Sequence, residues 1–457
     1  MFKRFRVTYW LVAGFLRKHL LIIIISLPLG FLAYISWLKF SPLLPHPKPY
    51  SRLGRVGRFT LTNLPLDIQN RLSLGLTALA PDGTATPSLA LRWEVSPDGK
   101  VYTFFLDPQI SWHNHTSLQS HHLAYSIPDV TVTYPDSATV KFELQQPFAP
   151  FPTVVSQPLF YQPKKLPLNL TQLFRRRYPL GVGEYRFQKA KFQGQYVSQI
   201  LIESDQETRR YTFYPSEDAA ITGFKLGEVD ILEDIADPKA LKNWANLVIT
   251  PQVHFNRHVS LFFNTKDANL ADKTLRQALA YAIPNKPTDA TRALSSFNPN
   301  SWAYNPQVKP YLTNLDTAQE LLQKSQEEAQ SETLPELELL TSLNYLPQAE
   351  AIKINWEKLG VKVNLKVITH PPDQFQALLV AHQIPTDPDQ YLLWHSSQVT
   401  NLTRYNSPKL DKLLEDGRRE LDQAKRKDIY QDFQRFLVED TPAAFLFYQT
   451  TYTVSKK

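Results

Sequence analysis

The sequence predicts an α/β protein with two lobes, and three observations lead to this fold class. Residues 71–113 contain short apolar runs separated by Asp-Gly turns, which is typical of strands in a β-rich segment. Residues 347–368 have the pattern of a helix followed directly by a strand, the repeating unit of α/β folds. The chain has 457 residues and is 43% hydrophobic, so it is long enough to form substantial cores in two or three lobes.

Glycines predict the turns in the β-rich segment. Gly83 and Gly99 each follow an aspartate, and Asp-Gly favours a tight turn in which the glycine has a positive φ angle. Residues 101–106, VYTFFL, alternate between two faces that both carry apolar side chains. This pattern predicts a strand that is at least partly covered on both faces.

The remaining elements follow from periodicity and turn chemistry. In the unit at residues 347–368, Gly360 ends the helix and an alternating strand begins at once. The other predictions are a hairpin at residues 130–144, a strand meander at 185–213, helices at 313–331 and 410–437, and a strand at 443–454.

The N-terminal region has the composition of a membrane anchor. Residues 20–38 carry no charge, and a helix of this length spans about 28 Å, close to the thickness of a bilayer core. Five basic residues precede this run, so the positive-inside rule places residues 1–19 in the cytoplasm and the bulk of the chain outside. Residues 39–54 are rich in proline and predict a stiff stalk. A cleaved signal peptide is the alternative, but the apolar run is long for one and no A-x-A site follows it.

Charge and composition exclude several classes of function. Residues 1–50 hold seven basic and no acidic residues, which accounts for the whole net charge of +7 and leaves residues 51–457 with a net charge of zero. A nucleic-acid-binding face is therefore not indicated. The chain has no cysteine, which excludes disulfides, thiolate metal sites and cysteine nucleophiles. It also lacks a nucleophile elbow, a phosphate-binding loop and an H-E-x-x-H zinc motif, so neither an enzyme nor a cofactor is predicted.

Seven sequence blocks occur in order along residues 71–447. The first carries G-L-T-x-x-x-x-D-G and then W-E-V-S-x-D-G, and the tail reads ELDQAKRKDIYQDFQRFLVEDTPAAFLF. The blocks between them are LGVGEYRF at 180–187, ITGFKLGEVDI at 221–231, VSLFFNTKDANLADKTLRQALAYAI at 259–283, SWAYNPQVKPY at 301–311 and RYNSPKLDKLL at 404–414. Together they resemble the bacterial extracellular solute-binding protein family 5, the dipeptide- and oligopeptide-binding receptors of ABC importers.

The resemblance implies a type II periplasmic-binding-protein fold, with two α/β lobes joined by crossing hinge strands. It places lobe one at residues 55–255 with a small β-rich subdomain at 72–165, lobe two at 256–446, and a return strand to lobe one at 447–457. The family normally continues well past the strand that follows Pro442, so lobe one is expected to lack a piece.

Four histidines at positions 113, 115, 121 and 122 have a spacing that could ligate a metal. Residues 112–116, WHNHT, lie where the family has the structural turn F-H-D-G-T. The resemblance therefore favours a structural role, and no metal site is predicted.

The resemblance places the ligand-facing segment at residues 384–404. Peptide-binding relatives hold the α-ammonium of the ligand with an aspartate four residues before a proline, and here Ile384 stands at that distance from Pro388. Aromatic rings in the region could stack on a ligand or could belong to the core, and a pair of carboxylates in a Pro turn is often only a solvated loop or a helix cap. The predicted ligand-binding residues are Trp394, Tyr391, Asp387, Asp389, Asn264, Trp302, Tyr304 and Arg404.

These observations predict a monomeric, membrane-anchored receptor that captures an extracellular peptide or peptide-like solute by lobe closure. The partner implied by the resemblance is an ABC permease in the same membrane. The alternative is an interaction protein on the same scaffold, such as a sensor, an adhesin or a chaperone, with no role in transport.

Overall fold

The structure is a computed structural model that describes residues 2–40, 48–161, 179–284, 286–287, 291–331, 333–370 and 372–457. The chain divides into two compact units, Met1–Tyr50 and Ser51–Lys457. Residues 41–47 of the predicted stalk and residues 162–165 of the predicted subdomain lie outside the described residues.

The first unit consists mainly of helix α1 (Phe2–Phe40). Among the described residues, no single helix combines the length and the apolar composition needed to cross a membrane. The segments Ala13–Leu20 and Ile24–Ser36 satisfy both conditions together, and they are bent by 65° relative to each other. The membrane anchor at residues 20–38 therefore stays a prediction.

The second unit is built on a sheet that contains ten strands among the described residues. From one edge to the other, and numbered in chain order, the strands are β14 (Lys362–Val367), β13 (Glu336–Thr341), β15 (Ala377–Gln383), β12 (Leu247–Phe263), β16 (Ala443–Lys456), β11 (Ile231–Ile235), β1 (Tyr50–Val56), β10 (Thr208–Tyr214), β9 (Tyr196–Glu203) and β8 (Arg186–Gln193).

Two long antiparallel strands, β12 and β16, join the two halves of this sheet. Their ladder runs from Leu247 paired with Lys456 to Phe262 paired with Ala443, and it is irregular between His254 and His258. The C-terminal half of β12 also pairs with β15, while the C-terminal half of β16 pairs with β11. The predicted lobe boundaries at 255 and 447 fall inside these two strands and stay predictions.

Helices flank the sheet, and several begin at side-chain caps. Asp272 accepts hydrogen bonds from the backbone N–H groups of Thr274 and Leu275, which satisfies donors that the first turn of a helix leaves unpaired. The helices of this part are α2 (Leu66–Leu72), α4 (Glu217–Lys225), α5 (Lys273–Tyr281), α6 (Leu315–Ala329), α7 (Leu346–Lys358), α8 (Tyr391–Trp394), α9 (Pro408–Arg419) and α10 (Gln423–Asp440).

The unit α7–β14 confirms the helix–strand pattern at residues 347–368. Gly360 has a φ of +90° directly after the helix, as its stop position requires. Trp356 is fully buried, and its indole N–H donates to the Leu279 carbonyl at 3.1 Å. This side chain therefore fixes α7 against α5 and the sheet.

A separate core supports the subdomain, which adds helix α3 (Phe151–Val154). Its strands are β2 (Thr77–Leu79), β3 (Ala85–Pro87), β4 (Ala90–Val95), β5 (Val101–Leu106), β6 (Val130–Asp136) and β7 (Thr139–Leu144). The predicted hairpin is confirmed by the pairing of β6 with β7. Gly83 and Gly99 have φ angles of +88° and +68°, which confirms both predicted turns.

Strand β1 begins within the range assigned to the stalk. It runs parallel to β11, with Leu53 opposite Ile231 and Gly54 opposite Leu232. A Cβ atom on Gly54 would lie 2.8 Å from the Leu232 side chain, so this glycine allows close packing. The stalk prediction extended too far, because the proline-rich run passes into this strand with no turn signal.

Candidate functional site

A cavity of about 450 Å³ lies between the subdomain and the segment that connects β15 to α8. Apolar side chains from both sides form much of its wall, and two carboxylates and one guanidinium are placed among them. The lining residues are Leu79, Phe148, Pro150, Thr153, Val154, Ser156, Gln157, Gln383, Ile384, Pro385, Thr386, Asp387, Asp389, Leu392, Leu393 and Arg418.

A second cavity, of about 170 Å³, adjoins the same part of the molecule. Phe148 and Arg418 border both cavities, so these two side chains stand between them. The other residues that line the smaller cavity are Gln146, Pro147, Tyr391, Glu415 and Arg419.

Backbone contacts hold the two walls together beside the cavities. The Ala149 N–H donates to the Arg418 carbonyl at 2.7 Å, and the Trp302 N–H donates to the Asp82 carbonyl at 3.1 Å. At Gly83, a Cβ atom would lie 2.6 Å from the carbonyl oxygen of Thr386. Glycine is therefore required there for the close approach as well as for its positive φ.

Asp387 is part of a buried ion pair with Arg426. The Arg426 Nη2 donates to Asp387 Oδ1 at 2.9 Å, and the two side chains are 7% and 11% exposed respectively. The Arg426 Nε also donates to the Gly417 carbonyl at 2.9 Å. Burial lowers the pKa of the Arg426 guanidinium and is the largest single effect, but the Asp387 charge, the Tyr430 hydroxyl and the hydrogen bonds to both together raise that pKa above its usual value.

Asp389 forms a second ion pair, with Arg418. The Arg418 Nε donates to Asp389 Oδ2 at 2.9 Å, and Asp389 Oδ1 accepts from the Tyr391 N–H at 3.1 Å. Burial raises the pKa of Asp389 above its usual value, and the Arg418 charge only partly offsets this shift. The arginine side chain is 25% exposed, so this pair lies closer to solvent than the first.

Trp394 lies in the core of the sheet rather than at a cavity wall. It is 4% exposed and packs near Phe262 and Phe445, with ring centroids 6.3 and 6.0 Å away. Its indole N–H donates to Gln390 Oε1 at 2.9 Å. The prediction that Trp394 stacks on a ligand at the cavity wall is therefore wrong. The residues that follow it in sequence are polar, but apolar side chains from distant strands surround the ring.

Of the other three predicted aromatic residues, Tyr391 and Trp302 lie close to the two ion pairs. Tyr391 borders the smaller cavity, and its ring stacks on His395 with the centroids 4.0 Å apart. The ring of Trp302 lies 5.3 Å from the Arg426 guanidinium carbon. Tyr304 is partly buried against the core, and burial raises the pKa of its hydroxyl.

Asn264 and Arg404 lie together, away from the residues that line the two cavities. The Asn264 side chain donates to the Phe375 carbonyl at 2.9 Å, and the Arg404 Nη2 donates to the Asp373 carbonyl at 3.4 Å. The backbones next to them are joined by a bond from the Thr265 N–H to the Thr403 carbonyl. These contacts stabilise loops at one end of the sheet, and their predicted contact with ligand stays a prediction.

Several cavity residues were not predicted from the sequence. Arg418 stands in the last turn of α9, where a basic residue is explained by the helix dipole alone. Phe148 and Thr153 belong to the subdomain, more than two hundred positions before the segment that they face. The only signal for Arg418 was the pair of aspartates at 387 and 389, and their distance in sequence does not show that one of them meets this arginine.

The histidines near residue 113 have structural contacts. His113 Nε2 bonds the Gly183 carbonyl at 2.7 Å, and His122 Nδ1 accepts from the Trp112 indole at 3.2 Å. Within the described ranges, no group of three or more histidine, cysteine, aspartate or glutamate residues is placed to hold a metal ion.

Comparison with known proteins decides the family. The model of the bacterial extracellular solute-binding proteins, family 5, matches residues 119–403 of this chain. The chain belongs to this family. Its members are solute-binding proteins rather than enzymes, and the family predicted from the seven blocks is confirmed.

This family 5 protein is similar to several named relatives and solved structures. It is 26% identical over 465 residues to di/tripeptide-binding protein 1 of Pseudomonas aeruginosa, covering 84% of each chain. It is 24% identical over 320 residues to oligopeptide-binding protein AppA of Bacillus subtilis, a match that covers 61% of this chain and 58% of that protein. The crystal structure of the ABC transporter substrate-binding protein CtaP of Listeria monocytogenes superimposes with a TM-score of 0.73 at 20% identity, covering 90% of this chain and 94% of that one. This likeness confirms the α/β type II periplasmic-binding-protein fold.

Proposed function

We propose that this protein is the membrane-anchored receptor of an ABC importer and captures a small peptide or peptide-like solute between the subdomain and lobe two. Membership of the solute-binding family supports a binding role. The printed names of its relatives, a di/tripeptide-binding and an oligopeptide-binding protein, support the peptide class.

The observation that carries this proposal is the two-sided cavity of about 450 Å³. Its volume lies in the range of about 300–1,000 Å³ that is usual for small-molecule sites. One wall comes from the subdomain and the other from residues 383–393, so a solute in the cavity contacts both. A ligand that touches both walls favours the closed arrangement, since it binds that arrangement more tightly than an open one.

Closure would act through the crossing strands. The two halves of the sheet are joined by β12 and β16, and their ladder is irregular near His254. Hinge closure concentrates its dihedral changes in a few residues of such connections. The closed form is then the one that a permease would distinguish from the empty receptor.

The cavity favours recognition of the solute body over recognition of a free ammonium group. Ile384, which stands at the position of the ammonium-binding aspartate in peptide-binding relatives, lines the cavity and is buried. Asp387 and Asp389 are each already paired with an arginine. A solute with apolar side chains is the class that this wall fits best.

The anchor is the second part of the proposal. Within α1, Ile24, Ile25 and Phe31 are all more than half exposed. Exposed apolar side chains along the uncharged stretch of this helix, residues 20–38, fit a lipid environment better than water. Removing residues 1–40 should release a folded chain from membranes, because Ser51–Lys457 is a compact unit by itself. Retention of the truncated chain on membranes would contradict the anchor.

Blocking the cavity tests the binding site. Leu392 lines it and is 57% exposed, so Leu392→Trp should fill the cavity at little cost in stability. Val399→Trp is the matched control, since Val399 is 86% exposed and lines neither cavity. A panel of apolar di- and tripeptides should bind the wild type and the control but bind Leu392→Trp weakly in calorimetry. Equal binding to all three proteins would place the site elsewhere.

Scattering distinguishes the receptor from a non-transport interaction protein. A bound peptide should reduce the radius of gyration, because closure brings the two walls together. An unchanged radius with a tightly bound peptide would contradict the receptor proposal and favour a rigid scaffold.

A further inference from the structure

Arg418 is held in an unusual setting between the two cavities. Its guanidinium carbon lies 4.1 Å from the ring centroid of Tyr391 and 5.0 Å from that of Phe148, so the group is flanked by an aromatic ring from each wall. Its Nε is bonded to Asp389 at 2.9 Å. These contacts fix both the position and the plane of the guanidinium.

The terminal nitrogens of Arg418 remain free to bind something else. Among the described residues, neither Nη1 nor Nη2 of Arg418 has a hydrogen-bond partner, and the residue borders both cavities. A guanidinium carries five N–H donors, and Asp389 occupies only the one on Nε. The edge formed by Nη1 and Nη2 matches two oxygens of a carboxylate in a parallel, bidentate arrangement.

The second arginine of the site differs in this respect. Arg426 donates to Asp387 and to the Gly417 carbonyl, is almost completely buried, and does not border either cavity. Its role is to neutralise Asp387 within the wall. Of the two arginines, Arg418 is therefore the one placed to meet a solute.

We propose that Arg418 binds a carboxylate group of the solute, while the apolar body of the solute occupies the larger cavity. The inference rests on the proposed function and names the chemical class that the site selects, a small carboxylate-bearing molecule with apolar side chains. The smaller cavity also carries Arg419 and Glu415, whose opposite charges balance, so it does not by itself repel an anion. A peptide with a free C-terminus satisfies these requirements.

Peptides with free and with amidated C-termini test this role. Leucyl-leucine, valyl-phenylalanine and their C-terminal amides are titrated into the full chain by calorimetry. Wild-type protein should bind each acid about 10- to 100-fold more tightly than its amide, the range expected for hydrogen bonds to a charged group. Arg418→Gln should lose this preference, and Arg418→Lys should keep only part of it because a lysine cannot bind in bidentate fashion.

Arg435→Gln is the matched control. Arg435 also pairs with an aspartate, Asp432, at 2.8 Å and also packs near an aromatic ring, that of Phe436, but it is exposed on α10 and lines neither cavity. This variant should discriminate between acid and amide as the wild type does. If Arg418→Gln does not fold, Arg418→Lys decides the question by the same ratio.

The two proposals fail in different ways. If wild-type protein binds acids and amides equally, or if Arg418→Gln still prefers acids, the carboxylate role is overturned while the receptor proposal stands. If no peptide of either kind binds the wild type, both proposals are overturned. A loss of stability in Arg418→Gln with an unchanged acid preference would show that the residue only holds Phe148 and Tyr391 together.

Discussion

The two aspartate–arginine pairs at the site are separated by only one residue on the aspartate side, yet they have different surroundings. Asp387 and Arg426 are both nearly buried, and their side chains bond to each other and to the protein. Asp389 is equally buried, but its partner Arg418 is a quarter exposed, flanked by two aromatic rings and in contact with both cavities. The two pairs thus differ in how far the arginine is buried. Asp387–Arg426 supports the wall, whereas Asp389–Arg418 is accessible to a solute.

The largest expected effect is the loss of stability when the buried pair is broken. Arg426→Met should lower the free energy of unfolding by about 3–5 kcal/mol, because it leaves the Asp387 charge buried without a partner. Arg418→Met also removes the partner of a buried aspartate, Asp389, but it should cost only about 1–2 kcal/mol, because the removed guanidinium borders both cavities and its loss lets water reach that carboxylate. Urea unfolding of both variants measures the difference, and equal losses would show that the two pairs are equivalent.

The short helix α8 allows the same comparison for apolar side chains. Trp394→Ala should destabilise the protein by about 3–5 kcal/mol, as truncation of a buried tryptophan does. Leu392→Ala, at an exposed position that lines the cavity, should cost less than about 1 kcal/mol and should change peptide affinity more than stability. Denaturant melts beside binding isotherms test both variants. A small loss of stability for Trp394→Ala would contradict the core position of this ring and favour a position at the cavity wall.

A buried histidine without a charged partner should make the stability of the protein depend on pH. Burial lowers the pKa of His258 to about 3, and the nearby His382, with its ring 6.0 Å away, adds to this shift. His258 also bonds the Ser260 hydroxyl at 2.7 Å and contacts Phe445. The unfolded chain takes up a proton below about pH 6.5, whereas the folded chain does not. Stability should therefore be complete above that pH and fall below it.

The expected slope between pH 6 and pH 4 is about 1.4 kcal/mol per pH unit from this one histidine. His258→Gln should flatten the stability profile by that amount, because glutamine does not titrate. Melting temperatures across the range, recorded for both proteins, provide the measurement. Parallel profiles would mean that His258 is protonated in the folded protein.

The smallest expected effect concerns metal removal. Because no metal-ligating group of three was found in the described part of the chain, a chelator should leave the melting temperature and the peptide affinity unchanged. Purified protein with and without EDTA provides the comparison. Melting on chelation would assign the histidines near residue 113 a role that their present contacts do not show.

The sequence predicted those parts of the fold that are determined by neighbouring residues. Gly83, Gly99 and Gly360 adopt the positive φ angles that their turns require, and α7 with β14 follows the apolar periods of residues 347–368. Each of these features depends on a few residues in succession. The sequence of those residues is therefore enough to predict each feature.

The site was predicted less completely because it is assembled from distant segments. Asp387 and Asp389 line the cavity, and their contact with a ligand stays a prediction. Phe148 and Arg418 come from the subdomain and α9, and sequence spacing cannot show that they meet. Trp394 has polar neighbours in sequence, and only the strands that carry Phe262 and Phe445 place it in the core. Long-range packing thus determines which of the predicted residues line the cavities.

The paired strands β12 and β16 couple the two halves of the sheet mechanically. Because β12 is hydrogen-bonded to β15 in one half, β16 to β11 in the other, and the two strands to each other, a relative rotation of the halves has to twist the ladder between β12 and β16. The energy of that twist would be stored on opening or closing and returned on the reverse movement. The register shifts between His254 and His258 and between Val259 and Ser260 interrupt this ladder, and such irregularities are where a paired strand bends and twists most readily.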